Sequence, residues 1–219
     1  LGYLYMKGIA VKKDINKAIE YFELAIKNNN PNAYFYMGKI YEKGIGVKKN
    51  ILNAKKYYER GSIFHDSKSQ LKLAKLFLYG DDNISKNYSF AKCYLKLSAK
   101  NSNPDALFYL GQYYFNIEKN ANKSIRYFEK CIHFNFENGL KIYEDQNYYD
   151  IKYAYRYNKF KYYAFNNLGL IQLFHFKDIE KAKSFIQEAA YGELPFGQNN
   201  LALLYQLYLN NNNNNNIEY

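Results

Sequence analysis

Apolar positions in this chain fall at helical spacing, in blocks that alternate with short polar stretches. Phe35, Met37, Ile40 and Tyr41 form one such block. Ala54, Tyr57, Tyr58 and Gly61 form the next, at offsets of three, four and seven residues from the alanine. The order itself recurs. Gly2, Tyr5, Gly8, Val11, Ala18 and Tyr21 return 36 residues later as Gly38, Tyr41, Gly44, Val47, Ala54 and Tyr57. A fixed period of this length predicts stacked units of two helices each, here named A and B.

A third copy has Ala74, Phe77 and Gly80, then Ile84, Asn87, Ala91 and Tyr94 after a one-residue insertion. The fourth and fifth have shortened middles: Gly111, Tyr114, Ser124, Tyr127 and Phe128, then Gly169, Ala182, Phe185 and Ile186. A sixth begins at Asn199-Asn200-Leu201-Ala202, with Tyr205 in the aromatic place. Gly44 stands where helix A should end, because glycine enters the left-handed region without steric cost. Val47 is expected to plug the loop that follows. Helix B should begin four residues before its small residue, at Asp14, Asn50, Asn87, Asn120 and Asp178, all good N-caps. One helical pair cannot bury its apolar face alone, so neighbouring pairs must stack. The expected fold is an all-α solenoid of helix-turn-helix repeats, an alpha-alpha superhelix.

The stretches Leu-Gly-x-x-Tyr-x-x-Gly-x-x-Val at 1–11 and Met-Gly-x-x-Tyr-x-x-Gly-x-Gly-Val at 37–47 resemble Sel-1-like repeats. Asp-x-x-Lys-Ala-x-x-Tyr-Phe-x-x-Ala at 14–25 fits as well. That family lies in the tetratricopeptide-like superfamily, and the resemblance implies an adaptor or scaffold. Copies four and five lack the Gly-x-Gly-Val loop and approach tetratricopeptide length. The expected organisation is repeats over 1–131 with the first truncated, an irregular insert over 132–163, further repeats over 164–208 with the last truncated, and a disordered Asn-rich tail over 209–219.

The formal net charge of +11 raises a nucleic-acid reading. Lysine supplies nearly all of it; Arg60, Arg126 and Arg156 are the only arginines. Abundant lysine, asparagine, tyrosine and isoleucine together favour compositional drift over a selected basic surface. Cys93 and Cys131 occupy different repeat positions, so no disulfide is expected. Cys131 takes the small-residue position of helix B, and Cys93 an outward one. His65, His133 and His175 lie far apart, none with a second ligand at metal spacing. Gly44-Ile45-Gly46 follows a helix and not a strand, so it is no nucleotide cradle. Nothing here points to an enzyme or a cofactor. No apolar run reaches the roughly 18 residues of a membrane span.

The remaining candidate is the surface. Outward positions of the A helices are Tyr34, Tyr36, Lys39, Lys43, Gln70, Lys72, Lys75, Tyr109, Gln112, Asn167 and Leu170. A ridge of tyrosine, lysine and amide groups on the concave side suits a peptide or protein partner of acidic character. Within the insert, Lys152, Tyr155, Arg156 and Lys159 interleave bases with aromatics and could track nucleic acid. The same stretch also reads as a lengthened first helix of copy five, with Ile151, Ala154, Asn158, Phe165 and Leu168 inward. The sequence therefore favours a non-catalytic interaction scaffold. The alternatives are an RNA-binding repeat protein and, by the resemblance, a lumenal adaptor in protein quality control (ER-associated degradation). The cysteine usage leans toward a reducing compartment. Asn83, Asn87 and Asn122 head glycosylation sequons, which arise easily by chance in a chain this rich in asparagine; occupied sequons would favour the lumenal alternative.

Overall fold

Helices alternate along the chain in the order that the spacing predicts. The computed structural model describes residues 1–134, 147–192 and 195–215, with side chains for 1–134, 159–192 and 195–207. The A helices are α1 (Gly2–Lys7), α3 (Pro31–Lys43), α5 (Ser67–Tyr79), α7 (Pro104–Asn116), α9 (Asn147–Ile171) and α11 (Pro195–Asn215). The B helices are α2 (Ile15–Lys27), α4 (Ile51–Ile63), α6 (Tyr88–Lys100), α8 (Ala121–Ile132) and α10 (Ile179–Tyr191). A π-helical turn, Gln172–Phe176, closes α9. Consecutive helices pair and stack, giving an all-α solenoid fold. The chain forms two compact units, Leu1–Ala106 and Leu107–Tyr219.

The same hydrogen bonds set each A-to-B corner. Asp14, Asn50, Asn87, Asn120 and Asp178 each accept, through a side-chain oxygen, the backbone N–H three residues on, at 2.9–3.0 Å. Orphan donors at the start of helix B are thereby satisfied. The caps' own N–H groups reach back to helix A. They donate to the carbonyls of Tyr5, Tyr41, Phe77, Tyr114 and Gln172. In four repeats that A-helix residue is aromatic, and its ring stacks on one from helix B. The pairs are Tyr5–Tyr21, Tyr41–Tyr57, Phe77–Tyr94 and Tyr114–Tyr127, with centroids 5.1–5.9 Å apart and planes within 12°. Backbone and ring contacts therefore converge on one position per repeat. Gly8 and Gly44 end their A helices at φ 70° and φ 66°.

The B-to-A corners of the first unit use residues that the sequence reading passed over. Asn29, His65 and Ser102 take the left-handed conformation. The following residues, Asn30, Asp66 and Asn103, donate their N–H groups to Ala25, Gly61 and Ser98. Each is a Schellman closure. The same three side chains then accept backbone N–H groups of α3, α5 and α7. One residue closes a helix and caps the next, leaving no room for a longer loop.

Small residues on helix A receive large ones from helix B. A methyl group added at Gly2, Gly38, Gly111 or Gly169 would stand within 3 Å of Phe22, Tyr58, Phe128 or Ile186 respectively. In the third repeat the corresponding residues are Ala74 and Leu95, both fully buried. The extra methyl on helix A is matched by a smaller residue on helix B. Ala54, Ala182, Ala189 and Cys131 are fully buried, as their repeat position predicts. Cys93 is exposed.

α9 is 25 residues long, a lengthened first helix for the fifth repeat. Leu168 is buried and Phe165 half-buried. Ile151, Ala154 and Asn158 lie on its backbone, with side chains outside the described residues. The stretch 136–147 is expected from the sequence as loop or short helix; of it only Asn147, the first residue of α9, lies within the described residues, and the end of the tail at 216–219 lies outside them too. The backbone of α11 continues as helix to Asn215, into the asparagine run for which the sequence suggests no structure.

Candidate protein-interaction face

Helix A of each repeat has one side against helix B and a second against the neighbouring repeats, which leaves little of it outward. Tyr36 shows the consequence. Its ring lies 5.3 Å from Tyr3, 5.2 Å from Phe22 and 5.3 Å from Phe35. It packs between the first two repeats and is half-buried there, not simply outward. Gln70 is a second correction, being only 1% exposed. Its amide accepts from Asn101 at 2.9 Å and donates to the Ser62 carbonyl at 3.4 Å. A polar residue at an apparently outward position can turn inward when the neighbouring helix end offers it partners.

Lys72 is half-buried and committed to Glu42, with its ammonium 2.7 Å from both carboxylate oxygens. The hydroxyl of the buried Tyr58 donates to the same carboxylate at 2.5 Å. The cluster joins α3, α4 and α5. Burial pushes the Glu42 carboxyl up. The Lys72 hydrogen bond and charge, with the Tyr58 hydrogen bond, outweigh burial and hold it below its ordinary value. Burial, and then the charge of Glu42, push the Tyr58 hydroxyl far up, so it stays a donor. This three-helix polar cluster was not legible beforehand. Its members lie 16 and 30 residues apart, and no short motif spans such distances.

Other candidates are half-buried. Tyr34 stacks on Phe64 at 5.6 Å, and Phe64 is 39% exposed. Lys39 and Lys75 are half-buried; Lys43 is exposed. These residues share the first unit. In the second unit Tyr109 packs against Phe108 and Phe160. Gln112, Asn167 and Leu170 are half-buried. Lys152, Tyr155 and Arg156 lie on the α9 backbone with side chains outside the described residues. Lys159 is exposed, its ammonium 5.6 Å from the Tyr163 ring centre.

Among the described residues no group of three or more His, Cys, Asp and Glu could hold a metal ion. Among them, no helix is long and apolar enough to cross a membrane. A shallow groove lined by Leu52, Phe77, Ile84 and Phe90 opens between α4 and α6. The site as a whole offers stacking, hydrogen bonding and positive charge.

The model of the Sel1 repeat matches residues 1–30, 31–62, 67–103 and 166–193, and a tetratricopeptide repeat model matches 105–133. None of the curated proteins matches the chain. Among solved structures, a Sel1 repeat protein from Oxalobacter formigenes is 23% identical with a TM-score of 0.70, over 94% of this chain and 74% of that one. The protein c5321, a protective antigen of uropathogenic Escherichia coli with an SLR fold, is 24% identical with a TM-score of 0.60. That match covers 94% of this chain and 48% of the antigen, so the chain spans about half its length. With four repeat units matched over more than half of its residues, the chain belongs to the Sel1 repeat family.

Proposed function

We propose that this chain is a non-catalytic scaffold that holds an acidic peptide or protein segment on the A helices of its first unit. Sel1 repeat folds serve generally as protein–protein interaction scaffolds. One observation carries the finer reading: the Tyr34–Phe64 stack lies partly exposed in the unit that also holds Lys39, Lys43 and Lys75. A rigid aromatic pair supplies contact area at little entropic cost, and lysine heads supply attraction to carboxylates. Lys72 is left out of the binding set because Glu42 already neutralises it.

The test is titration with a capped octapeptide of alternating glutamate and leucine at two salt concentrations. Tyr34→Ala should weaken binding by about 1–2 kcal/mol, and Lys43→Ala should mainly reduce the salt dependence. Tyr36→Ala is unsuitable, since it opens the packing between two repeats. Binding unaffected by both substitutions would place the partner elsewhere. Tight binding of oligouridylate, with each phosphate-contacting lysine lowering the salt slope by about 1, would favour the RNA reading.

A further inference from the structure

The last A helix carries a different chemistry. α11 has no charged residue along its length. Where it meets α9, amides replace residues that are aromatic, apolar or basic elsewhere. Asn166 stands in the register of Phe35, Leu71 and Phe108, and Asn200 in that of Tyr36, Lys72 and Tyr109. The Asn200 Nδ2 donates to the Asn166 Oδ1 at 2.7 Å. Asn166 is only 6% exposed. Its Nδ2 nevertheless has no partner among the described residues, and it keeps contact with solvent. About one turn toward the N-terminus of each helix, Tyr163 stacks on Phe196 at 4.6 Å with planes 11° apart.

A carboxamide has two donor hydrogens and an acceptor oxygen. The Asn166–Asn200 bond uses one donor and one lone pair. Flipping both amides exchanges their roles and leaves the outcome unchanged: one residue keeps an unpaired NH2 and the other an unpaired carbonyl oxygen. Donor and acceptor side by side complement a peptide group, which presents one C=O and one N–H. The Asn166 amide is largely enclosed and touches solvent at its free donor, so a ligand that completes its bonds has little water to displace.

We propose that the Asn166–Asn200 pair, floored by the Tyr163–Phe196 stack, binds an extended uncharged peptide segment through its main chain. The lack of charge along α11 argues for this ligand. A nucleic-acid strand needs cations along its phosphates, and Lys159, beside Tyr163, is the cation that the described contacts place at this floor. The proposal rests on reading A helices as the binding side, but it concerns the other unit, other residues and a neutral ligand.

The probe is acetyl-(Val-Ser)4-amide, titrated while the asparagine side-chain NH2 signals are followed by NMR. The peptide should shift the Asn166 and Asn200 signals and saturate at low millimolar concentration. The double variant N166L/N200L substitutes an apolar pair for the amides. It should bind about tenfold more weakly with an unchanged melting midpoint. A probe methylated at its main-chain nitrogens should lose about as much. If the double variant does not fold, Asn200→Ala serves in its place. Absence of shifts at about 10 mM peptide, equal binding of the methylated probe, or binding retained by the variants would each overturn the proposal. So would shifts produced by oligouridylate with the peptide inert, or self-association abolished by the variants with the peptide inert. Binding of the acidic octapeptide to the first unit should be unchanged in N166L/N200L, so the two readings fail separately.

Discussion

Substituting Gly38 by alanine should destabilise the first unit, although alanine is the better helix former. In an exposed helix the change would stabilise by about 0.5–1 kcal/mol. Here the added methyl would stand 2.4 Å, 2.6 Å and 2.9 Å from three atoms of the Tyr58 ring. That ring cannot move away cheaply: it is fully buried, lies beside Phe35, and its hydroxyl is bonded to Glu42. Overpacking of this kind costs about 1–3 kcal/mol. The net loss should be about 1–2 kcal/mol. Repeat three suggests the remedy, since Ala74 there faces the position of Leu95. Tyr58→Leu alone should also destabilise, because it strips Glu42 of a donor. The double variant G38A/Y58L should be more stable than the sum of the two losses predicts, by about 1 kcal/mol. Repeat proteins need not unfold in one step, so the assay is urea denaturation combined with hydrogen exchange at α3 and α4. Strict additivity, or a more stable G38A, would refute the claim that close helix contact explains the glycine.

Three further outcomes follow from the corners and the polar cluster. Asn50→Ala should lower stability by about 1 kcal/mol in urea denaturation, because α4 loses an acceptor at its start. Gly44→Ala should cost about 1–2 kcal/mol through left-handed strain, whereas Ala10→Gly, at φ 58°, should not destabilise. Glu42 should also make stability depend on pH. Its folded pKa lies below the ordinary 4.5, so its ionised form favours the fold. The contribution is full above the unfolded value and lost as pH falls below it. The stability gap between the wild type and E42Q should therefore shrink between about pH 6 and pH 3, and a constant gap would contradict the ion-pair account.

Local rules made the repeat legible. The five B-helix caps were readable because an asparagine or aspartate recurs at a fixed offset from a small residue, and each forms the expected bond. Ala54, Ala182 and Cys131 were readable from helical period alone. The A-helix caps Asn30, Asp66 and Asn103 were not, since they double as the ends of the preceding helices and no periodic signal separates the two roles. Facing was least legible. Tyr36 and Gln70 occupy positions that one helical wheel marks as outward, but a solenoid helix has neighbours on several sides. Lys72 reads as a solvated cation until Glu42, a repeat away, comes within reach. The Asn166–Asn200 pair is equally invisible to local rules, because its partners lie 34 residues apart.

The positive charge of the first unit is not sorted between its helices. On α1, α3 and α5, Lys7, Lys39, Lys43, Lys68, Lys72 and Lys75 against Glu42 give the same net charge as the B helices α2, α4 and α6 carry. An acidic partner would thus be drawn to both sides alike, and steering by such a field acts on the association rate and fades with salt. Selectivity must come from the proposed contact itself, Tyr34 of α3 stacked on Phe64 at the end of α4. This separates two lysines of equal charge. Lys43 on α3 and Lys96 on α6 are both exposed. Lys43→Ala and Lys96→Ala should slow association of the acidic octapeptide by similar factors at low salt, and both effects should vanish at high salt. Only Lys43→Ala should also speed dissociation, because only Lys43 lies in the proposed contact. Stopped-flow measurement of both rates decides the point: faster dissociation from the Lys96 variant would show that the B helices, and not the A helices, hold the partner.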